Sequence, residues 1–315
     1  MLSRTADHLY WMSRYVERAE NLARMLQVNV RTSLLPQPAD EVDRSWAGTL
    51  AIIGQLDAYR ERCGAVIPER VVRFLAFDAA NPGSIVSNLR HARENARAVR
   101  GTLTSELWET INSTWLELAG RPRGELTTDG LIDFLEWVKL RSHLARGVTL
   151  GTMLRDEGFD FTRIGTFLER ADNTARILDV QFRVLAPDGI RASTAVDYYR
   201  YTALLFSVSA FEIYRKVYRD RITPERVAEL LLLRADTPRS LHRCVAEIDL
   251  HLQRVANAQS GETLRRAGEL HALLRYGRID VIVEDGFHEF LAQFLERVGD
   301  LGRRIARDFL ASSVI

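Results

Sequence analysis

Apolar residues recur along this chain at intervals of three and four and almost nowhere in strict alternation, which predicts helices throughout and no strand. The first predicted helix runs from about Ser3 to Leu34, where Pro36 and Pro38 stop it. At 100° per residue, Trp11, Met12, Tyr15, Val16, Ala19, Leu22, Ala23 and Leu26 share one arc. Ser13, Arg14, Glu17, Glu20, Asn21 and Arg24 share the opposite, polar one. Further helices are predicted over about 44–62 and over PERVVRFLAFD from Pro68, with proline in the first turn. Asn81-Pro82-Gly83 is a turn, Ser84 caps a helix to about Arg100, and Ser105 caps the next, to Gly120. The segment 121–130, RPRGELTTDG, reads as a polar loop, and a long helix from about Asp129 to Glu157 ends at Gly158. Gly147 and Gly151, four apart on it, would let another helix approach closely.

The second half repeats this plan. Residues 15–28, YVERAENLARMLQV, return at 167–180 as FLERADNTARILDV. Identical positions are Glu17/Glu169, Arg18/Arg170, Ala19/Ala171, Asn21/Asn173, Ala23/Ala175, Arg24/Arg176, Leu26/Leu178 and Val28/Val180. PERV at 68–71 returns at 224–227, and Pro82 and Ser84 return as Pro238 and Ser240. Helices are predicted over 161–185, ended by Pro187-Asp188-Gly189, then over 194–218, from Pro224, and over 240–258, 262–276 and 284–310. The predicted fold is all-α. It is one domain, a bundle of about twelve helices built from two pseudo-two-fold-related copies of a six-helix unit, residues 1–158 and 159–315. All five tryptophans lie in the first copy, so any site is expected to be asymmetric.

Composition narrows the function classes. With 43 basic and 42 acidic residues the formal charge is +1, which argues against nucleic-acid binding through a strongly cationic surface. Every basic residue except Lys139 and Lys216 is arginine, the side chain suited to carboxylates and other anions. Cys63 and Cys244 have neither metal-site nor redox spacing and read as small buried residues. No signal peptide opens the sequence and no apolar run is long enough to span a bilayer, so a soluble cytoplasmic protein is expected. No histidine follows a glutamate by three residues, and phosphate-loop, nucleophile-elbow and zinc spacings are missing. No metal or cofactor is therefore expected.

The candidate chemistry sits on the repeated helix. Neighbours such as Glu17 and Arg18 point about 100° apart and cannot pair well with each other. Glu20–Arg24 and Asp172–Arg176 can, at i,i+4. Three readings stand open. Each glutamate could reach an arginine of the other copy, locking the halves together. The polar residues Arg14, Glu17, Arg18, Asn21, Arg24, Glu169, Arg170, Asp172, Asn173 and Arg176 could line a cleft for a small polar or anionic ligand. Or the stripe could dock a partner protein. Arg93 and Arg97, with Arg90 and Arg100, form either a solvated basic face or an anion site, and the counterpart segment 246–256 lacks these arginines.

The paired helices make the chain similar to the Alpha-E family of bacterial all-helical proteins, named for an E-R motif. The resemblance rests on TADHLYWMSRYVERAENLAR at 5–24, ARENARAVR at 92–100 and LWETIN at 107–112. It continues through LRDEGFDFTRIGTFLERADNTARIL at 154–178 and PRS at 238–240, so it covers essentially the whole chain. It implies an association with a circularly permuted ATP-grasp amide ligase, and with a transglutaminase-like peptidase. The implied role is in making or modifying a peptide-like product. It implies no catalytic residue. An accessory subunit that binds partner or product at the paired helices is the first expectation. An enzyme using Glu17 or Glu169 as general base, with arginines holding a carboxylate or phosphate, is the alternative.

Overall fold

A computed structural model describes residues 1–36, 38–121, 127–185 and 195–311. Fourteen helices and no strand occur among them: α1 (Ser3–Ser33), α2 (Ala39–Ile52), α3 (Leu56–Cys63), α4 (Pro68–Val72), α5 (Ile85–Ala98), α6 (Ser105–Gly120), α7 (Thr128–Thr152), α8 (Glu157–Leu185), α9 (Ala195–Ser207), α10 (Phe211–Tyr218), α11 (Pro224–Leu232), α12 (Leu241–Arg254), α13 (Gly261–Arg275) and α14 (Ile279–Phe309). Among the described residues no helix is long and apolar enough to cross a membrane. The Pro187-Asp188-Gly189 stop and residues 122–126 of the polar loop lie outside the described residues.

Fourteen helices replace the expected twelve because two predicted helices break. The 44–62 helix splits at Gly54, whose φ of 68° closes a left-handed cap: Gly54 N–H donates to Ala51 O and Gln55 N–H to Leu50 O. The 194–218 helix splits at Ser209 in the same way, with φ 52° and bonds from Ser209 to Phe206 O and Ala210 to Leu205 O. Glycine adopts this geometry without steric cost and serine does not, so the second break had no visible punctuation in the sequence. The long helix predicted to Glu157 ends earlier, and the helix predicted from 161 starts sooner, at Glu157. α7 stops at Thr152, and Asp156 Oδ1 caps α8 by accepting from Gly158 N (3.0 Å) and Phe159 N (3.1 Å). Thr104 rather than Ser105 caps α6, accepting from Leu107 N at 3.3 Å.

The chain forms two compact units, Met1–Thr166 and Phe167–Ile315, with the boundary inside α8. In the first unit α1 is the central helix, packed along both α5 and α7. Ala19 and Ala23 of α1 and Ala92 and Ala96 of α5 are fully buried, and small residues let helices lie close. The first turns of α8 also reach α1. A Cβ added at Gly165 would lie 2.3 Å from both Tyr10 O and Ser13 Oγ, so only glycine fits this crossing. In the second unit α12 and α13 pack side by side, α14 packs on α13 and α11, and Phe182 of α8 meets Phe287 of α14 at 4.8 Å between ring centroids.

The local structure of the two units repeats closely. Buried Tyr59 accepts from Ile67 N and donates to Ala65 O, tying down the loop before α4. Buried Tyr214 does the same before α11, accepting from Thr223 N and donating to Arg221 O. Ser84 and Ser240 cap α5 and α12 by accepting from Ser87 N and Arg243 N. Asp129-Gly130-Leu131-Ile132-Asp133-Phe134-Leu135 opens α7, and its counterpart, Asp285-Gly286-Phe287-His288-Glu289-Phe290-Leu291, follows a kink in α14 at Gly286 (φ 115°). Cys244 is buried as expected, whereas Cys63 at the end of α3 is half-exposed.

Candidate functional site

The polar arc of α1 does not face solvent. Ser13, Glu17, Glu20 and Asn21 are all at most 5% exposed, as deeply buried as the apolar arc. A buried carboxylate needs a hydrogen-bonded cation to remain ionised, and α7 supplies it. Arg146 donates through one terminal nitrogen to Glu17 Oε2 at 2.9 Å and through the other to Glu20 Oε2. Ser142, one turn earlier on α7, donates to the same Glu20 oxygen at 2.8 Å. The remaining oxygen of Glu20 accepts from Arg24 at 2.9 Å. Arg24 also donates to His143 Nε2 at 2.8 Å, which requires that nitrogen to be unprotonated, so its 3.4 Å approach to Glu20 is not an ion pair. One turn further along, Gln27 donates to Glu136, and the Lys139 ammonium at 2.6 Å holds the Glu136 carboxyl below the usual glutamate range. The Glu20–Arg24 pair, read in the sequence as an i,i+4 pair within one helix, is thus part of a buried network.

Glu17 and Arg146 also line a narrow, solvent-open cleft of about 30 Å³. Its apolar wall is Met12, Val16, Leu107, Ile111 and Ala145, from α1, α6 and α7. Its polar lining is Ser13, Glu17, Ser142, Arg146 and Thr149, with Thr162, Arg163 and Thr166 from the first turns of α8. The charged side chains lining the cleft are therefore one carboxylate and two guanidinium groups. Four of its hydroxyls donate their protons to helix carbonyls: Ser13 to Tyr10 O, Thr149 to Ala145 O, Thr162 to Gly158 O and Thr166 to Thr162 O, at 2.8 to 3.0 Å. A hydroxyl has one proton, so these four oxygens can serve a ligand only as acceptors.

Of the other residues singled out in the sequence, several lie away from this cleft. Arg14 donates to the Tyr10 hydroxyl at 3.0 Å and sits over the Trp11 ring. Arg18 lies over Tyr15, and its counterpart Arg170 lies over Phe167, so the arginine of each E-R pair stacks on the aromatic three residues before it. Arg170 is buried and also donates to Pro238 O at 3.3 Å. Glu169 is 5% exposed, while Asn173 is half-buried. Asp172 pairs with Arg176 at 2.8 Å with a quarter of its side chain exposed. Arg93 donates to Asn112 at 3.1 Å and Glu94 at 2.7 Å, and exposed Arg97 lies 3.6 Å from Glu94. These two arginines serve the surface of α5 and line no part of the cleft.

A family model described as a predicted alpha-helical domain with a conserved ER motif matches residues 1–310. The chain belongs to the Alpha-E family. In this Alpha-E chain, the glutamate of the first E-R pair is the one that meets Arg146 and faces the cleft. Similar curated proteins include an uncharacterized protein of Mycobacterium bovis and uncharacterized proteins of two Mycobacterium tuberculosis strains. Each is 24% identical over 312 residues, covering 93% of this chain and 35% of the relative. The Alpha-E chain thus spans about a third of the length of the curated relatives it matches. No solved structure matches it. Among its described residues no group of three or more His, Cys, Asp or Glu side chains converges as a metal site.

Arg146, Ser142, His143 and Arg163 escaped the sequence reading. A signal was present for two of them. The buried stripe of α7 runs Leu131, Leu135, Val138, Ser142, Ala145, Thr149, so its apolar character gives way to hydroxyls midway, with Arg146 beside the switch. A core stripe that turns polar needs buried partners, and the polar arc of α1 provides them.

Proposed function

We propose that this domain is an accessory binding subunit for a circularly permuted ATP-grasp amide ligase, and that it holds the peptide-like product or its precursor in the α1–α7 cleft. The observation that carries this reading is the position of Glu17: an E-R glutamate fixed by Arg146 on the wall of an open cleft with an apolar side and a row of acceptor oxygens. The much longer relatives support it as well, since they place this fold within larger chains. A cytoplasmic site of action and a transglutaminase-like peptidase as a second partner belong to the same proposal.

An enzyme acting on a peptide or a small carboxylate or phosphate compound, with Glu17 or Glu169 as general base, is the rival reading, favoured by Glu17 facing a cleft beside a guanidinium. Against it, the Glu17 side chain is 2% exposed and bonded to Arg146, and an adjacent guanidinium favours the ionised carboxylate and weakens it as a base.

The test is co-expression with the ATP-grasp protein, followed by native mass spectrometry of the purified chain. The wild type is expected to carry a small ligand or to bind the ligase, and Ala145→Phe, which crowds the cleft, is expected to lose the ligand while keeping its helical circular-dichroism spectrum. A wild type that binds neither ligand nor purified ligase overturns the proposal. Product formation by the isolated chain that disappears in Glu17→Gln would establish the enzyme instead.

A further inference from the structure

We infer that the outer face of α7 is the contact surface of a homodimer, in which α7 crosses its own copy antiparallel about a two-fold axis at Gly147. The buried stripe of α7, with Arg146 beside it, serves the first unit from one side of this helix. On the opposite arc, at 100° per residue, lie Leu140, Leu144, Gly147, Leu150, Gly151 and, just past the helix end, Leu154. The four leucines are 56%, 47%, 42% and 77% exposed in chain order. No charged residue falls on this arc between Leu140 and Leu154.

The two glycines give nothing back to the single chain. A Cβ built on either would meet nothing within 4 Å, so the close helix approach that their spacing suggests is not made among the described residues. Glycine inside an exposed helix weakens it relative to alanine, and a second helix crossing there would use the missing side chains. The placing of the leucines makes that helix a second copy of this one. Counted from Gly147, Leu144 and Leu150 lie three residues away on either side, and Leu140 and Leu154 seven. A two-fold interface sets one patch against itself, so it requires a self-complementary pattern of this kind. With Gly147 on the axis and the helices antiparallel, Leu140 of one copy lies opposite Leu154 of the other. Leu144 and Leu150 close the two flanks of the glycine crossing. The leucines leave on the order of 400 Å² of apolar surface in water on each copy, the size of patch that marks an interaction site. Pairing two copies removes about 800 Å² of leucine surface, and the backbone at the glycines brings the total to about 1,000 Å², where specific interfaces begin.

Sedimentation velocity of the full chain over a concentration series tests this. The wild type is expected to pass from monomer to dimer in the micromolar range. Leu144→Glu and, separately, Gly147→Leu are each expected to weaken association at least about tenfold while the helical circular-dichroism spectrum is kept. A side chain at 147 meets no neighbour and leucine is the better helix former, so a monomer alone would gain from that change. Leu250→Glu, at an exposed leucine of α12, is expected to leave the dimer intact. Cysteine variants in a Cys63→Ser background locate the axis. Gly147→Cys is expected to cross-link to its own copy under mild oxidation. Leu140→Cys, about 20 Å from its mate, is expected to link only to Leu154→Cys supplied on the other copy. A wild type that stays monomeric at every concentration overturns the inference. So does a dimer that Leu144→Glu and Gly147→Leu both leave unchanged, or one in which Leu140→Cys links to itself and Gly147→Cys does not. A monomer that binds only the ATP-grasp ligase through this face, with the binding lost in Leu144→Glu, makes the occupant a different protein and also overturns it.

Discussion

The two units use the same helix for different purposes. Both carry an E-R pair on a long helix, both stack the arginine on the preceding aromatic, and both staple the loop before the PERV helix with a buried tyrosine. They part at the helix that closes each unit. In the shared register of α7 and α14, fixed by the Asp-Gly sequences at 129–130 and 285–286, Ser142 corresponds to Val298, His143 to Gly299 and Arg146 to Gly302. None of the three α7 side chains is repeated at the matching position of α14. On the E-R helices, Glu20, fully buried, is answered by Asp172, which is partly exposed and served by Arg176 from its own helix. Gly302 instead takes up a packing role, with a side-chain methyl of Leu168 3.3 Å from where a Cβ would be.

The largest way to break this contrast is Arg146→Met. It takes the shared cation from two buried carboxylates, leaving Arg24 on Glu20, and a loss of about 3–5 kcal/mol is expected in urea unfolding. Gly302→Ala, at the matching position, meets only a flexible leucine end and should change stability by less than about 1 kcal/mol. Next in size is the pair Glu20→Gln and Asp172→Asn. The first removes charge from a buried network and should cost about 1.5–3 kcal/mol; the second weakens a partly exposed i,i+4 pair and should cost at most about 0.5 kcal/mol. Equal losses would mean that the two helices are equivalent after all.

Where the units agree, matching effects are expected. Tyr59→Phe and Tyr214→Phe each remove a hydroxyl that accepts one backbone bond and donates another, at about 1–2 kcal/mol apiece by thermal unfolding. The smallest effect concerns pH. Lys139 holds the folded pKa of Glu136 below its unfolded value, so the stability it contributes is present above the unfolded glutamate pKa and is lost as acid titrates the carboxyl. Lys139→Met should flatten the acid limb of a stability–pH profile slightly, and an unchanged profile would remove Glu136 from the network.

The helical plan was legible in the sequence because periodicity, prolines and serine caps speak for themselves at this scale. The repeated stretch stood out because eight of its fourteen positions are identical between residues 15–28 and 167–180. The site was only half legible. Glu17 and Arg24 stand out as repeated polar residues, but the arc that carries them left an ion-pair lock, a ligand cleft and a docking face open, since periodicity reports polarity and not what a neighbouring helix offers in return. Arg146 lies far away in sequence and is not repeated, and the hydroxyls on the buried stripe of α7 are the trace it leaves there. Ser209 was hidden for a different reason: its left-handed backbone is set by a cap shared with Gly54, and serine gives no hint of it.

A double-mutant cycle between Glu20 and Arg146 tests the central claim most directly, namely that the polar arc of α1 is held inside the first unit by α7. Stability would be measured for the wild type, Glu20→Gln, Arg146→Met and the double variant. The account predicts a coupling energy above about 1 kcal/mol, with the double variant less destabilised than the sum of the single ones. Additivity within about 0.5 kcal/mol would contradict it.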